Sequence, residues 1–140
     1  MAELNFDSGL KTFRVNDRCD ISFNPTDNNF VTRLYSVFEE LDKKQEKRKA
    51  EISQHKNTKE IFAVARKYDE EMREMIDDLF VEPICETVFG DMSTFALAGG
   101  LPVWANFLLA VMDEVDTSFA REQSLTNSRV SKYTNKYARK

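Results

Sequence analysis

The hydrophobic positions divide the chain into a short N-terminal region of alternating residues and a longer region of helical periodicity. Apolar and polar residues alternate over 3–7, 10–15 and 18–23, which is the pattern of strands with one buried face. Turn-forming residues stand between these segments, at 8–9 and 16–17. We expect a β-hairpin of 10–15 with 18–23. It must lie on helices or on another chain, because an isolated hairpin is only marginally stable.

Beyond residue 24 the apolar residues recur at helical spacing. This periodicity predicts long helices over 27–53, 58–82 and 101–122. Shorter helical segments are predicted over 83–89 and 94–98, between the second and the third long helix.

Polar residues at the predicted helix starts can accept hydrogen bonds from the free N–H groups of the first turn. Thr26 or Asp27 can cap the first helix, and Asn57 or Thr58 the second. Glu60 follows Asn57 by three residues, which is the spacing of a capping box.

Two helices carry continuous apolar faces. The second helix has a seam in alternating steps of four and three, formed by Ile61, Ala65, Tyr68, Met72, Met75 and Leu79. The last helix has the strongest stripe, formed by Trp104, Phe107, Leu108, Val111, Met112, Val115 and Phe119. The seam is shorter than three heptads, so packing within the chain explains it as well as a coiled coil does.

Length and composition favour one globular domain. The chain has 140 residues, of which 41% are hydrophobic and 31% charged. We expect a single domain over 1–123, made of a hairpin region over 1–24 and a helical body over 25–123, followed by a flexible basic tail over 124–140. The fold class is therefore mainly α with a small N-terminal β-hairpin (α+β), with three to five helices.

Charge is separated along the chain. Residues 124–140 include five basic and no acidic residues. Because the net charge of the whole chain is −4, residues 1–123 have a net charge of −9. Between Asp69 and Asp91 there are nine acidic residues and a single basic one, Arg73. Such separated blocks favour association between copies, or with a charged partner, through complementary fields.

The sequence favours a reducing compartment and gives no sign of a membrane. Cys19 and Cys85 are 66 positions apart, and we expect both to be free thiols. Glu3 and Asp7 stand where a secretory leader would carry basic residues. The longest apolar stretch, 101–112, is too short to span a bilayer. We therefore expect a soluble cytoplasmic protein.

One acidic cluster is a candidate for metal-dependent chemistry. Glu70, Glu71 and Glu74 resemble the first half of the Mg²⁺-binding motif of all-α nucleotide pyrophosphohydrolases, and carboxylates four residues apart share a helix face. Asp113 and Asp116 are the available second pair, but they do not match the Glu-x-x-Asp spacing of that family. A solvated acidic face is the simpler interpretation.

No other residues form a recognisable reactive site. His55 is the sole histidine and lies in a polar segment, far in sequence from both cysteines. This disfavours a zinc site and a nucleophile activated by histidine. We predict no catalytic, metal-binding or cofactor-binding residue.

The C-terminal tail is a candidate for binding a charged partner. Lys132, Tyr133, Lys136 and Tyr137 interleave basic and aromatic side chains, as in proteins that bind single-stranded nucleic acid. The acidic body disfavours that partner, because it repels phosphate groups. A tail that folds on a protein partner, or on the acidic helix of a neighbouring copy, fits the charges better.

Apolar residues of the helices are further candidates for binding a partner. The methionines among them offer adaptable contacts. Phe95, Leu97, Trp104 and Phe107 suit a core position as well as an interface. The candidate partner-binding residues of the body are Met72, Met75, Leu79, Phe95, Trp104 and Phe107.

The order of features along residues 4–123 resembles that of a known class of phage protein. The first feature is the N-terminal strands, leading through Asn24, Pro25 and Thr26 into an aromatic-bearing helix. The second feature is the acidic helix, which runs into residues 83–91. The third is the last helix, which opens with residues 100–107. Together they resemble small proteins encoded in the tail-morphogenesis regions of long-tailed bacteriophages and Gram-positive prophages. The resemblance is one of order and character, without a short invariant motif.

Proteins of this type resemble tail assembly chaperones. The resemblance implies a helical, self-associating protein that holds the long tape-measure protein, and in some members the tail-tube subunits, until the tube polymerises. It implies no catalytic residues and no place in the mature virion. We therefore predict a non-enzymatic chaperone that forms homo-oligomers in the host cytoplasm. The alternatives are a Mg²⁺-dependent nucleotide pyrophosphohydrolase and a nucleic-acid-binding phage protein that uses the basic tail.

Overall fold

The computed structural model describes residues 1–125 together with 130, 132 and 134. Along 1–125 the chain forms an N-terminal hairpin, three long helices, one short helix and a second, very small hairpin. In order, the elements are β1 (Lys11–Val15), β2 (Cys19–Phe23), α1 (Asn28–Ser53), α2 (Thr58–Phe80), α3 (Cys85–Phe89), β3 (Leu97–Ala98), β4 (Leu101–Pro102) and α4 (Val103–Ser124). The predicted mainly helical fold with a small N-terminal hairpin is confirmed.

The predicted hairpin is present. β1 pairs with β2 in antiparallel register, with Phe13 opposite Ile21. The turn contains Asn16 and Asp17, which both have positive φ angles, as the central residues of a type I′ turn require. Phe23 of β2 stacks on Phe13 with ring centroids 4.6 Å apart. The hairpin thus presents an aromatic face to the helices.

The predicted strand over 3–7 is not formed, and this expectation was wrong. Leu4 and Phe6 extend into solvent with 96% and 85% of their surface exposed. The Asn24 side chain donates a hydrogen bond of 2.8 Å to the Ser8 carbonyl. That bond holds the chain beside the end of β2, so 8–9 does not close a second hairpin onto β1.

The three long helices predicted from periodicity are confirmed, with their ends displaced by at most two residues. Asp27 caps α1 and Asn57 caps α2, each accepting from the N–H two residues later, at 3.0 and 2.8 Å. The capping box is not closed, because the Glu60 carboxylate lies 3.1 Å from Nδ1 of His55. Glu60 instead joins the start of α2 to the linker before it.

The short helix after α2 begins at Cys85, two residues later than expected. The Asp77 carboxylate accepts hydrogen bonds of 2.8 Å from the backbone N–H groups of Ile84 and Cys85. A side chain of α2 therefore caps α3 and determines where it starts. Gly90 ends the helix with a φ of 59°, a backbone conformation that glycine adopts without strain.

The helical turn predicted over 94–98 is absent, and a hairpin takes its place. β3 pairs with β4 across Gly99 and Gly100, whose φ angles of 62° and 83° suit a tight hairpin turn. Thr94 does not start a helix, because its N–H and its hydroxyl both donate to the carboxylate of Asp69. This long-range contact overrides the local helical tendency.

One core joins the hairpin to the helices. Phe23, Phe30 and Phe80 bring β2, α1 and α2 together with ring centroids 5.0 to 5.8 Å apart. The hairpin therefore lies on helices of its own chain. Fully buried side chains from α1, α2 and α4 complete this core, among them Leu34, Leu41, Met72, Ile76, Trp104, Leu108 and Val115. No helix of the described residues is long and apolar enough to cross a membrane.

Candidate interaction surface

Most of the candidate partner-binding side chains of the body belong to this chain's own core. Met72, Leu79, Phe95 and Trp104 are buried, with at most 8% of their surface exposed. The indole N–H of Trp104 donates a hydrogen bond of 2.9 Å to the side-chain oxygen of Gln45, so the one polar atom of this side chain also has a partner. These four side chains are core residues and not surface contacts, because the packing of α1, α2 and α4 uses them.

The other candidates are distributed over the surface. Met75 is half-buried in a shallow groove on α1 and α2. Phe107 is also half-buried and packs on Phe89, with ring centroids 5.7 Å apart. Lys132 is exposed. The predictions for Tyr133, Lys136 and Tyr137 lie outside the described residues.

Three carboxylates of the acidic region have structural partners. Asp69 accepts from Thr94, and Asp77 caps α3. Glu71 forms an ion pair with Lys44 of α1 at 2.8 Å, which ties α2 to α1. One of the three acids of the pyrophosphohydrolase-like motif is therefore engaged in helix packing.

The remaining acids of that motif are spread over solvent-facing positions. Glu70 and Glu74 are exposed on α2, and Asp113 and Asp116 are exposed on α4. Within the described residues, no group of three or more His, Cys, Asp or Glu side chains is placed to hold a metal ion.

Arg73 connects α2 to the loop before the second hairpin. Its guanidinium donates hydrogen bonds of 2.7 Å to the carbonyls of Gly90 and Met92. It also forms an ion pair with Asp69 at 3.3 Å, four residues earlier on the same helix. Since Asp69 holds Thr94, the two side chains together fix the loop that carries β3 and β4.

The groups with shifted pKa values are structural as well. Burial raises the pKa of the Cys85 thiol, so it is a poor nucleophile at neutral pH. The hydroxyl of Tyr68 donates a hydrogen bond of 2.6 Å to the Glu51 carboxylate, and this bond raises the pKa of Tyr68 to about 12. Burial lowers the pKa of Arg48, whose guanidinium stacks on the Phe95 ring at 4.1 Å. The Tyr68 contact ties α2 to α1, and the Arg48 contact ties α1 to the loop before β3.

An apolar groove runs between the N-terminal hairpin and α4. Its first compartment, of about 220 Å³, lies against the hairpin residues Phe13, Val15 and Ile21. Its second compartment, of about 290 Å³, lies against α3 and β3. Phe107 and Ala110 line both compartments, so the two are adjacent. We call this feature the hairpin–α4 groove.

Exposed apolar side chains stand beside the second compartment. Leu97 of β3 is 75% exposed and Leu101 of β4 is 42% exposed, on either side of the glycine turn. Met92 lines the second compartment and is itself partly exposed. We call Met92, Leu97 and Leu101 the apolar knob. Glu86 lies on α3 and Asp91 directly precedes Met92. Both side chains are exposed and give this region an acidic rim.

The knob was not predicted as a surface feature. Leu97 was predicted to lie in a helix, although two glycines between short apolar pairs are a known signal for a hairpin. Residues at such a tight turn project from the body of a domain, and their apolar side chains then remain in solvent.

In comparisons with known proteins, no family model, no curated protein and no solved structure matches the chain.

Proposed function

We propose that this protein is a non-enzymatic tail assembly chaperone of a long-tailed phage or prophage. It self-associates and binds the tape-measure protein until the tail tube polymerises around it. One observation carries the proposal: the apolar knob is exposed, and both its Met92 and Ala98 of the hairpin that carries Leu97 and Leu101 line the second compartment of the hairpin–α4 groove. Leu97 is 75% exposed there, although the chain has a well-packed core elsewhere.

The knob and the groove suit an amphipathic helix as the bound segment. Side chains at helical spacing on such a helix would cover Met92 and Leu101 and fill the second compartment, whereas Leu97 stands on the opposite face of the hairpin. Burying Leu97 contributes about 1.5 to 3 kcal/mol before the entropic costs of association, and Leu101, which is 42% exposed, contributes less. A few such contacts give reversible binding, which a chaperone needs in order to release its partner during assembly.

The charge of the protein favours basic residues on the polar side of that helix. Several acidic residues from α2 to the loop before β3 are exposed and available to a partner: Glu70, Glu74, Asp78, Glu82, Glu86 and Asp91. Their field accelerates encounter with a basic segment and makes the association rate sensitive to salt.

Co-expression with the tape-measure protein tests the proposal. We expect the chaperone to increase the soluble amount of the tape-measure protein and to co-purify with it. The double variant Leu97→Asp, Leu101→Asp places charges on the knob and should lose the complex. Phe62→Asp is the matched control, because Phe62 is 65% exposed on the outer side of α2.

Two results would oppose the proposal. Absence of a complex between the unmodified protein and the tape-measure protein removes the chaperone function. Equal loss of the complex in the knob variant and in Phe62→Asp removes the role of the knob. The tail-tube protein, as a second possible partner, is tested in the same way.

A further inference from the structure

We infer that residues 3–7 of one copy bind as a third strand along the free edge of β1 in a second copy. This inference deepens the self-association in the proposed function and rests on it. In the complex, Leu4 and Phe6 of one copy fill the first compartment of the hairpin–α4 groove of the other. Each copy therefore completes an apolar site that is open in the single chain.

The donated segment has the properties of a strand without a partner. Leu4 and Phe6 alternate with polar residues, yet they are 96% and 85% exposed. Pairing with β1 of the same chain would need a tight turn at 8–9. The Ser8 carbonyl is instead held by Asn24 at 2.8 Å, which directs the segment away from its own β1. A second copy is the partner that this geometry leaves open.

The accepting edge has a free backbone and an apolar side. β1 and β2 form a two-stranded sheet, and no other strand of the described residues pairs with β1. Such an edge presents unpaired N–H and C=O groups to a further strand. In antiparallel register, Leu4 can stand opposite Val15 and Phe6 opposite Phe13. Val15 and Phe13 line the first compartment, so all four side chains meet on the groove side.

The charges of the two strands are complementary. The donated segment carries Glu3 and Asp7 and no base, whereas β1 carries Lys11 and Arg14 and no acid. In the same register, Glu3 and Asp7 are the two diagonal neighbours of Arg14 on the outer face. Arg14 pairs with an exposed carboxylate of its own hairpin in the single chain, and its guanidinium remains accessible. Two more acids beside it favour the intermolecular strand.

The oligomeric state tests this inference through Phe6. We expect the unmodified protein to associate in light scattering or sedimentation measurements across a concentration series. Phe6→Asp should weaken association at least tenfold, since it places a charge in the apolar groove. It should leave the circular dichroism spectrum unchanged, because Phe6 is almost fully exposed in the single chain. Phe62→Asp is the matched control and should associate as the unmodified protein does.

Complementation between two variants identifies the contact. Ala110→Arg blocks the groove from its exposed edge on α4, while the segment 3–7 remains intact. Phe6→Asp disrupts the segment 3–7 and leaves the groove intact. Each variant alone should associate weakly, and their mixture should form a complex that uses one intact segment and one intact groove. A monomeric unmodified protein, association of Phe6→Asp at unchanged strength, or no complex in the mixture would each overturn the inference.

The tape-measure assay separates this inference from the proposed function. If the unmodified protein associates through Phe6 but does not bind the tape-measure protein, the chaperone function is refuted and the intermolecular strand is supported. If the unmodified protein binds the tape-measure protein while Phe6→Asp associates normally, the intermolecular strand is refuted and the chaperone function is supported.

Discussion

Replacing Asp69 by alanine should destabilise the fold strongly, although Asp69 opens an acidic run that resembles a solvated surface. Its carboxylate accepts hydrogen bonds of 2.7 and 2.6 Å from the N–H and hydroxyl of Thr94, which is fully buried. Hydrogen bonds to a charged group contribute about 1.5 to 3 kcal/mol each, so we expect a loss of about 3 to 5 kcal/mol. Arg73 also loses its ion-pair partner.

Urea unfolding of purified variants measures this effect. Asp69→Asn keeps an oxygen that accepts from Thr94 but loses the charge, so its free energy of unfolding should fall by about 1 to 2 kcal/mol. Glu70→Ala is the control, because Glu70 is exposed, and its stability should change by less than about 0.5 kcal/mol. If Asp69→Ala is as stable as Glu70→Ala, the structural role assigned to this carboxylate is refuted.

Three further predictions concern single side chains. Val81→Gly should raise the free energy of unfolding by about 1 kcal/mol in urea titrations, because a branched residue with a φ of 67° is strained and Val81 is exposed; a less stable variant would contradict this. Tyr68→Phe should be about 1 kcal/mol less stable than the unmodified protein below pH 10, because it lacks the hydrogen bond to Glu51. Since the folded-state pKa of Tyr68 is raised to about 12, that difference should be lost as the pH rises from 10 towards 12, and a constant difference would count against the bond. A thiol reagent followed by mass spectrometry should modify Cys19 in the folded protein and Cys85 only after denaturation, because Cys85 is buried and its thiol pKa is raised; equal rates would show that the core opens readily.

The long helices and the first hairpin could be predicted because their signals are local. Periodic apolar residues mark α1, α2 and α4, and Asp27 and Asn57 cap the first two helices as their positions suggest. The segments 3–7 and 94–98 were predicted incorrectly because distant residues decide their structure. Asn24 holds the chain after the first segment, and Asp69 holds Thr94 in the second.

The interaction surface was less predictable than the fold. An apolar stripe on a helix indicates that one face is covered, but it does not tell whether the cover is the same chain or a partner. Met72 and Trp104 turned out to lie in the core for this reason. The exposed Leu97 and Leu101 depend on a two-glycine turn, whose local signal was weaker than the helical pattern around it.

Amide hydrogen exchange in the presence and absence of the purified tape-measure protein would locate the surface that binds this partner. We expect slower exchange over 88–110, which includes the apolar knob and residues that line the second compartment of the groove. Amides around Phe62, on the outer side of α2, should exchange equally in both samples. Unchanged exchange over 88–110 in a sample that contains the complex would contradict the claim that this surface binds other polypeptides.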